Sequence, residues 1–124
     1  MNLLIADDDR VLTHLLSAKL RSRGWTVTIA ADAMQTLMCA MKAPPDVILL
    51  DINMPGGTGV EALRKLKLST KTSMIPIVVL SGSIDAADEL RVRALGADNF
   101  LKKPADIEEI HRALIALTTL GSAV

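Results

Sequence analysis

The chain has 124 residues, about one domain's worth, with 14 lysines and arginines balancing 14 aspartates and glutamates and half its residues hydrophobic. That balance leaves no overall field to draw in nucleic acid or an anionic membrane. The longest apolar runs are too short to span a bilayer, and the single Cys39 excludes an internal disulfide and suits a reducing compartment. Charges begin at Asp7 with no basic-then-apolar leader ahead of them, so the expectation is a cytoplasmic globular domain. With one Trp, one Phe and no Tyr, its core is aliphatic.

Five apolar runs alternate with five helical patterns. Asn2–Ala6 reads as a first strand. Val11, Leu12, Leu15, Leu16 and Leu20 then recur at helical spacing, and Gly24 ends that helix. Trp25–Ala30 alternates and is rich in β-branched residues, which predicts a second strand with Trp25 packed at a sheet edge. Asp32 can cap a second helix with Met34, Leu37, Met38 and Met41 on its inner side as core filler and Cys39 in or near the core, stopped by Pro44 and Pro45.

The run "DVILLD" looks like a central parallel strand buried on both faces. Thr58 and Glu61 suit a capping box opening a third helix, with Val60, Leu63 and Leu66 inward and Arg64, Lys65, Lys67 and Lys71 as a solvated face. Ile75–Leu80 is a fourth strand and Asp85–Leu95 a fourth helix closed by Gly96. Asn99–Lys102 is a short fifth strand. A last helix spans Asp106–Thr119, with Ile107, Ile110, Leu114 and Leu117 on one stripe.

Alternating strands and helices predict an α/β fold with one parallel sheet and helices on both faces. Ligands in such sheets sit beyond the carboxyl ends of the strands, where the strand order reverses. Asp7 and Asp8 follow the first strand, Asp51 ends the third, Ser81 follows the fourth, and Lys102 and Lys103 follow the fifth. All of them therefore converge on one rim. Two like charges 4 Å apart repel by about 4 kcal/mol at an effective dielectric near 20. A carboxylate cluster there calls for a cation, and Mg²⁺ suits carboxylates combined with water and a phosphate. A lysine and a hydroxyl supply what a phosphoryl group needs beside it. Asp9 reads mainly as a helix-start charge. His14 and His111 lie far apart, so no zinc site is offered.

The stretches "LIADDDR", "PPDVILLDINMPGGTGVEAL", "IPIVVLSGS" and "GADNFLKKP", in this order and spacing, resemble the receiver domain of two-component response regulators over essentially the whole chain. The resemblance implies a doubly wound, flavodoxin-like sheet of order 2-1-3-4-5 with five helices. It implies a receiver over residues 1–120 and, in 121–124, a tail or the start of a linker. It implies a phosphoacceptor at Asp51 and Mg²⁺ held by Asp7, Asp8, Asp51 and the backbone carbonyl of Asn53, with Asp8 ligating directly and Asp7 largely through water. Ser81 would donate to a phosphoryl oxygen, and Lys103, before a proline that is often cis, would take the lysine position with Lys102 a bystander.

Ser81 and Phe100 would form the switch, Phe100 rotating inward on phosphorylation and altering the surface of helix 4, strand 5 and helix 5. The implied donor is a sensor histidine kinase or a phosphotransfer protein, and the downstream target is unknown. The resemblance admits a homodimer through that surface. It implies a signalling phosphoacceptor that catalyses its own phosphorylation and dephosphorylation, not an enzyme acting on other substrates. Serine stands at 81 where threonine is commoner, Phe100 has no hydroxyl, and Gly82 and Ser83 are small. Looser coupling and quick self-dephosphorylation are expected from these.

The main rival is a haloacid-dehalogenase-type phosphatase, because "DDDRV" fits its signature with Asp7 as nucleophile and Asp9 as acid. That family needs a second acidic pair at a strand end, whereas Asp106, Glu108 and Glu109 belong to the last helix. It also leaves "DINMPGG" without a role. A receiver used only as a binding module is argued against by the complete site, and a flavin binder lacks aromatic residues to stack on the ring.

Overall fold

The computed structural model describes residues 1–54, 59–82 and 85–122, with side chains described through residue 118. The elements are β1 (Asn2–Ala6), α1 (Arg10–Arg21), β2 (Thr26–Ala30), α2 (Ala33–Lys42), β3 (Val47–Leu50), α3 (Gly59–Leu68), β4 (Ile77–Ser81), α4 (Ala86–Ala94), β5 (Asn99–Lys102) and α5 (Ile107–Ser122). The sheet runs β2-β1-β3-β4-β5 and every pairing is parallel. The chain leaves β1 toward β2 and then crosses back to β3 on β1's other side. The reversal lies between β1 and β3, and the crevice opens beyond their carboxyl ends.

Alternation along the strands divides the core between two faces. Leu3 and Ile5 join Val47, Leu49, Val78 and Leu80 under α1 and α5, where Leu16, Leu20, Ile110 and Leu114 meet them. Leu4, Ala6, Ile48, Leu50, Ile77, Val79 and Phe100 pack on the other face against Ala40, Leu63, Leu66 and Val92 of α2, α3 and α4. β3 and β4 are buried along their whole length, as their unbroken apolar runs require. β2 is an edge strand, and Arg21 donates to its Val27 carbonyl at 3.0 Å, covering part of that open edge.

Several expectations need correction. Val11 and Leu15 of α1 and Met34, Met38 and Met41 of α2 are exposed. The buried stripes are instead Thr13, Leu16, Ser17 and Leu20 on α1 and Ala33, Thr36 and Ala40 on α2. Small side chains let each helix lie close to the sheet, which turns the larger residues outward. Burying the threonines is cheap because each hydroxyl donates back to a carbonyl of its own helix, Thr13 to Arg10 and Thr36 to Asp32.

Lys67 is not on a solvated face. It is half-buried and donates to the carbonyls of Ile75 (2.9 Å) and Ser73 (3.3 Å). Strand β4 starts at Ile77 and includes Ser81, and β2 starts at Thr26. Trp25 precedes the edge strand β2 and is buried in the α1/α5 core, with its ring edge-on to His111. Glycine is required at 24 and 96, where φ is +95° and +114°. The capping box expected from Thr58, and Ser83, lie outside the described residues.

Candidate functional site

β1 and β3 are paired in register, Ala6 opposite Leu50, so the next residues, Asp7 and Asp51, emerge side by side beyond the sheet. The backbone holds both there: Asp7 N–H donates to Ala30 O (3.0 Å) and Asp51 N–H to Ala6 O (2.8 Å). Both carboxylates are buried, at 4% and 6% exposure, and Asp8 is exposed at the mouth. One oxygen from each of Asp7, Asp8 and Asp51 lies within 4.8 Å of the others, the one such metal-competent group among the described residues.

Lys103 reaches this cluster from the end of β5. Its Nζ donates to Asp7 Oδ2 at 2.8 Å and stands 3.5 Å from Asp51 Oδ2. The Lys103–Pro104 peptide is cis, as the resemblance implies. Lys103 N–H also donates to Ser81 O at 3.0 Å, which ties the ends of β4 and β5 together. Ser81 is fully buried, and its hydroxyl accepts from Asn53 Nδ2 at 3.0 Å while the Asn53 N–H donates to Asp51 Oδ1 at 3.1 Å. Asn53 thus bridges the buried carboxylate and the buried hydroxyl. Lys102 is exposed. Phe100 already lies in the core, 8% exposed, opposite Val79.

The electrostatics follow from burial. Desolvation raises the Asp51 pKa above the ordinary carboxylate value and the charge of Asp7 adds to this; the Asn53 N–H and the Lys103 charge oppose it without cancelling it. For Lys103, burial pulls downward, but the hydrogen bond to Asp7 and the charges of Asp7 and Asp51 outweigh it, and the net shift is upward. The site is therefore short of positive charge, with one half-buried lysine against two buried carboxylates.

The donor set fits Mg²⁺. All three side chains offer hard oxygen atoms, and a separation within 4.8 Å is close to the roughly 4.2 Å that spans an octahedron with 2.0–2.1 Å bonds.

Asp9 does not join the cluster. Its carboxylate caps α1, accepting from Leu12 N–H at 3.1 Å, and its own N–H donates to Asp7. The acid that a dehalogenase-type phosphatase needs at Asp9 is thus turned away, and that reading is withdrawn. Glu108 and Glu109 lie in the first turn of α5 and Asp106 caps it, donating no strand-end pair.

Gly59, at the start of α3, also shapes the site. A Cβ there would strike Asp51 O and Ile52 backbone atoms, and its N–H donates to Ile52 O at 2.8 Å. α3 thus butts against the backbone that presents Asp51. The signal was the glycine in "GTGVEAL", but a glycine in a glycine-rich stretch cannot announce which of its neighbours it must clear.

The family description that matches the chain is the response regulator receiver domain, over residues 3–115. The probable transcriptional regulatory protein TcrX of Mycobacterium tuberculosis is 32% identical over 117 residues, 94% of this chain and 49% of that protein. The chain spans about half the length of the curated relatives it matches. Among solved structures, a putative response regulator from Chloroflexus aurantiacus superposes with a TM-score of 0.89 at 27% identity, covering 95% of this chain and 97% of that one. The receiver domain of a sensor histidine kinase from Pseudomonas aeruginosa, solved with a magnesium ion coordinated in its active site cleft, gives 0.87 at 28% identity with 95% and 97% covered.

Proposed function

This chain belongs to the response regulator receiver family, and on that premise we propose that it accepts a phosphoryl group on Asp51 from a phosphohistidine of a sensor histidine kinase or phosphotransfer protein. The observation that carries this reading is the convergence of Asp7, Asp8, Asp51 and Lys103 on one rim, with Asp51 buried beside a lysine. An oxygen of Asp51 attacks phosphorus, the N–P bond to the donor imidazole breaks, and an acyl phosphate is left on the side chain. Water later attacks that phosphorus and returns the carboxylate and inorganic phosphate. Positioning and neutralisation of charge supply most of the acceleration.

Asp7, Asp8, Asp51 and the Asn53 carbonyl would hold Mg²⁺, which when bound supplies the positive charge that Lys103 alone leaves short. Lys103 exchanges part of its contact with Asp7 for a phosphoryl oxygen, and the Ser81 hydroxyl leaves Asn53 to donate to another. Ser81 and Phe100 share the β4–β5 pairing, so motion of one is felt by the other, which supports their role as the switch. The position after Ser81 is open, a Cβ at Gly82 meeting only the Lys103 side chain at 3.6 Å, which supports easy access of water and a short-lived phosphoryl group.

A donor reaches the site along an apolar flank. Leu12, Leu80, Pro104 and Ala105 line a shallow pocket of about 370 Å³ beside Lys103, and Val11 and Leu15 are exposed on the same helix as Leu12. No helix among the described residues is long and apolar enough to cross a membrane. A cytoplasmic location is our reading, from the single Cys39 and the family.

Intact mass after incubation with acetyl phosphate and Mg²⁺ tests the assignment. One phosphoryl group is expected on the parent chain, and none on Asp51→Asn, on Asp8→Ala, or in EDTA, with circular dichroism unchanged in each. Undiminished phosphorylation of Asp51→Asn would overturn it.

A further inference from the structure

Met34, Met38 and Met41 are 68%, 64% and 41% exposed, and Leu68 at the end of α3 is 72% exposed. A soluble surface seldom strings large apolar residues together in this way. The three methionines follow one another at four- and three-residue spacing, so they form one stripe on α2, about 10 Å long. Two contacts fix its direction. The Met41 thioether accepts from the Ser69 hydroxyl at 3.5 Å, so the stripe leans toward the end of α3. Cys39 and Lys42 lie on the opposite flank, where they line a separate groove with Thr26 and Thr28 of β2.

The charges around the stripe are lopsided. Lys42 lies one turn beyond Met38 on the outer edge. On α3, Lys67 turns toward Asp98, 3.7 Å away, so Lys65, two positions round the helix, falls on the flank facing α2. Neither Lys42 nor Lys65 is in an ion pair among the described residues. The carboxylate at hand, Glu61, is held by Arg64 at 2.8 Å and attracts Lys65 through space without forming an ion pair, and Asp32 is committed to capping α2. The stripe is therefore apolar along its length with cations on both sides.

We propose that the α2–α3 face is a docking surface for an amphipathic helix of a protein partner that carries acidic residues beside its apolar stripe. The methionines form an apolar stripe two turns long against which the apolar anchors of such a helix can pack, and methionine's flexible, polarisable side chain moulds to differing anchors. A second copy of the chain would bring lysine against lysine. An anionic membrane is held by clusters of about four to eight basic residues, whereas two unpaired lysines, Lys42 and Lys65, flank this stripe and Arg64 is paired with Glu61. The surface is separate from the rim that holds Asp51, so the proposal stands whether or not phosphoryl transfer occurs there.

The test is a titration of ¹⁵N-labelled protein with a synthetic helix of about four turns, leucine at the anchor positions and glutamate flanking them. A matched peptide with lysine for glutamate serves as the control. Shifts confined to α2 and α3 are expected with the acidic peptide alone. Binding should weaken at least about tenfold in Met34→Glu/Met38→Glu, and weaken with salt and in Lys65→Glu. All three positions are exposed, so unchanged melting curves check the fold. Equal binding of the two peptides, shifts elsewhere, or full affinity in the methionine double variant would overturn the proposal. So would binding to phosphatidylglycerol vesicles, or dimerisation through α2, in the absence of peptide binding.

Discussion

Two of the ionic contacts that join distant parts of the chain sit in opposite surroundings. At the rim, Lys103 meets Asp7 and Asp51, whose side chains are 4% and 6% exposed. At the seam of α1 and α5, Arg23 meets Glu108 and His111 in the open, with 31% and 62% of the first pair's side chains exposed. Each partner of the exposed pair shifts in the direction that favours charge, Glu108 downward and Arg23 upward, because the contact is gained without much loss of water. At the rim, burial drives Asp51 upward in spite of the lysine. The exposed pair is at rest, whereas the buried set is incomplete and gains from any further cation. That contrast is what marks the second, and not the first, as the candidate site.

Removing the lysine widens the contrast most. Lys103→Met leaves two buried carboxylates with no counter-charge, and we expect a loss of about 2 kcal/mol at pH 7, discounted for the lysine's partial exposure. Phosphoryl uptake should vanish with it. Without Lys103 only the Asn53 N–H still opposes the upward pull of burial on Asp51, so the penalty belongs to ionised Asp51 and shrinks as pH falls and it takes up a proton. Urea unfolding at pH 7 and pH 4 separates the causes: an equal loss at both would mean that the lysine acts by packing alone.

Gly59→Ala attacks the same region by sterics. The new methyl meets the backbone of Asp51 and Ile52, which cannot swing aside as a flexible side chain could. About 2 kcal/mol of stability should be lost, together with slower phosphorylation, read by thermal melting and by the acetyl phosphate assay. Normal kinetics in this variant would mean that the Asp51 backbone tolerates displacement.

Asp51→Asn works in the opposite sense. A carboxyl whose folded pKa is raised contributes stability that is present below the ordinary carboxylate range and lost as pH rises through the raised value. The amide removes that loss. In EDTA the variant should be more stable than the parent at pH 7 and no more stable near pH 3. A gain that does not depend on pH would remove charge as its cause.

The rim was legible in the sequence because its residues sit at strand ends, where parallel pairing dictates convergence: once "LIADDDR" and "DVILLD" are parallel strands, Asp7 and Asp51 share one rim, and the strand order implied by the family resemblance makes them neighbours. The helix faces were less legible. Val11, Leu15 and the α2 methionines satisfy helical periodicity as well as Thr13, Ser17, Ala33 and Ala40 do, and hydrophobicity ranks them first. Which stripe is buried depends on how near the helix lies to the sheet, and small residues decide that. Lys67 reads as surface because a lysine's stem hides its reach to carbonyls such as Ile75 O. The Asn53 amide on Ser81 and the clearance at Gly59 are consequences of loop path, which one sequence does not fix.

Arg23→Ala should do least, and that is its use. Both partners of the pair are solvated, so the melting temperature should match the parent's at moderate salt, where screening weakens such contacts further. Trp25 makes the local consequence visible, because its ring stands edge-on to His111, 6.2 Å between centroids, and His111 also contacts Arg23. Its emission should therefore change in Arg23→Ala yet stay constant on addition of Mg²⁺, since Trp25 precedes β2 while the carboxylates lie past the far ends of β1 and β3. A melting temperature that falls as far as in Lys103→Met would mean that exposure does not separate the two ion pairs.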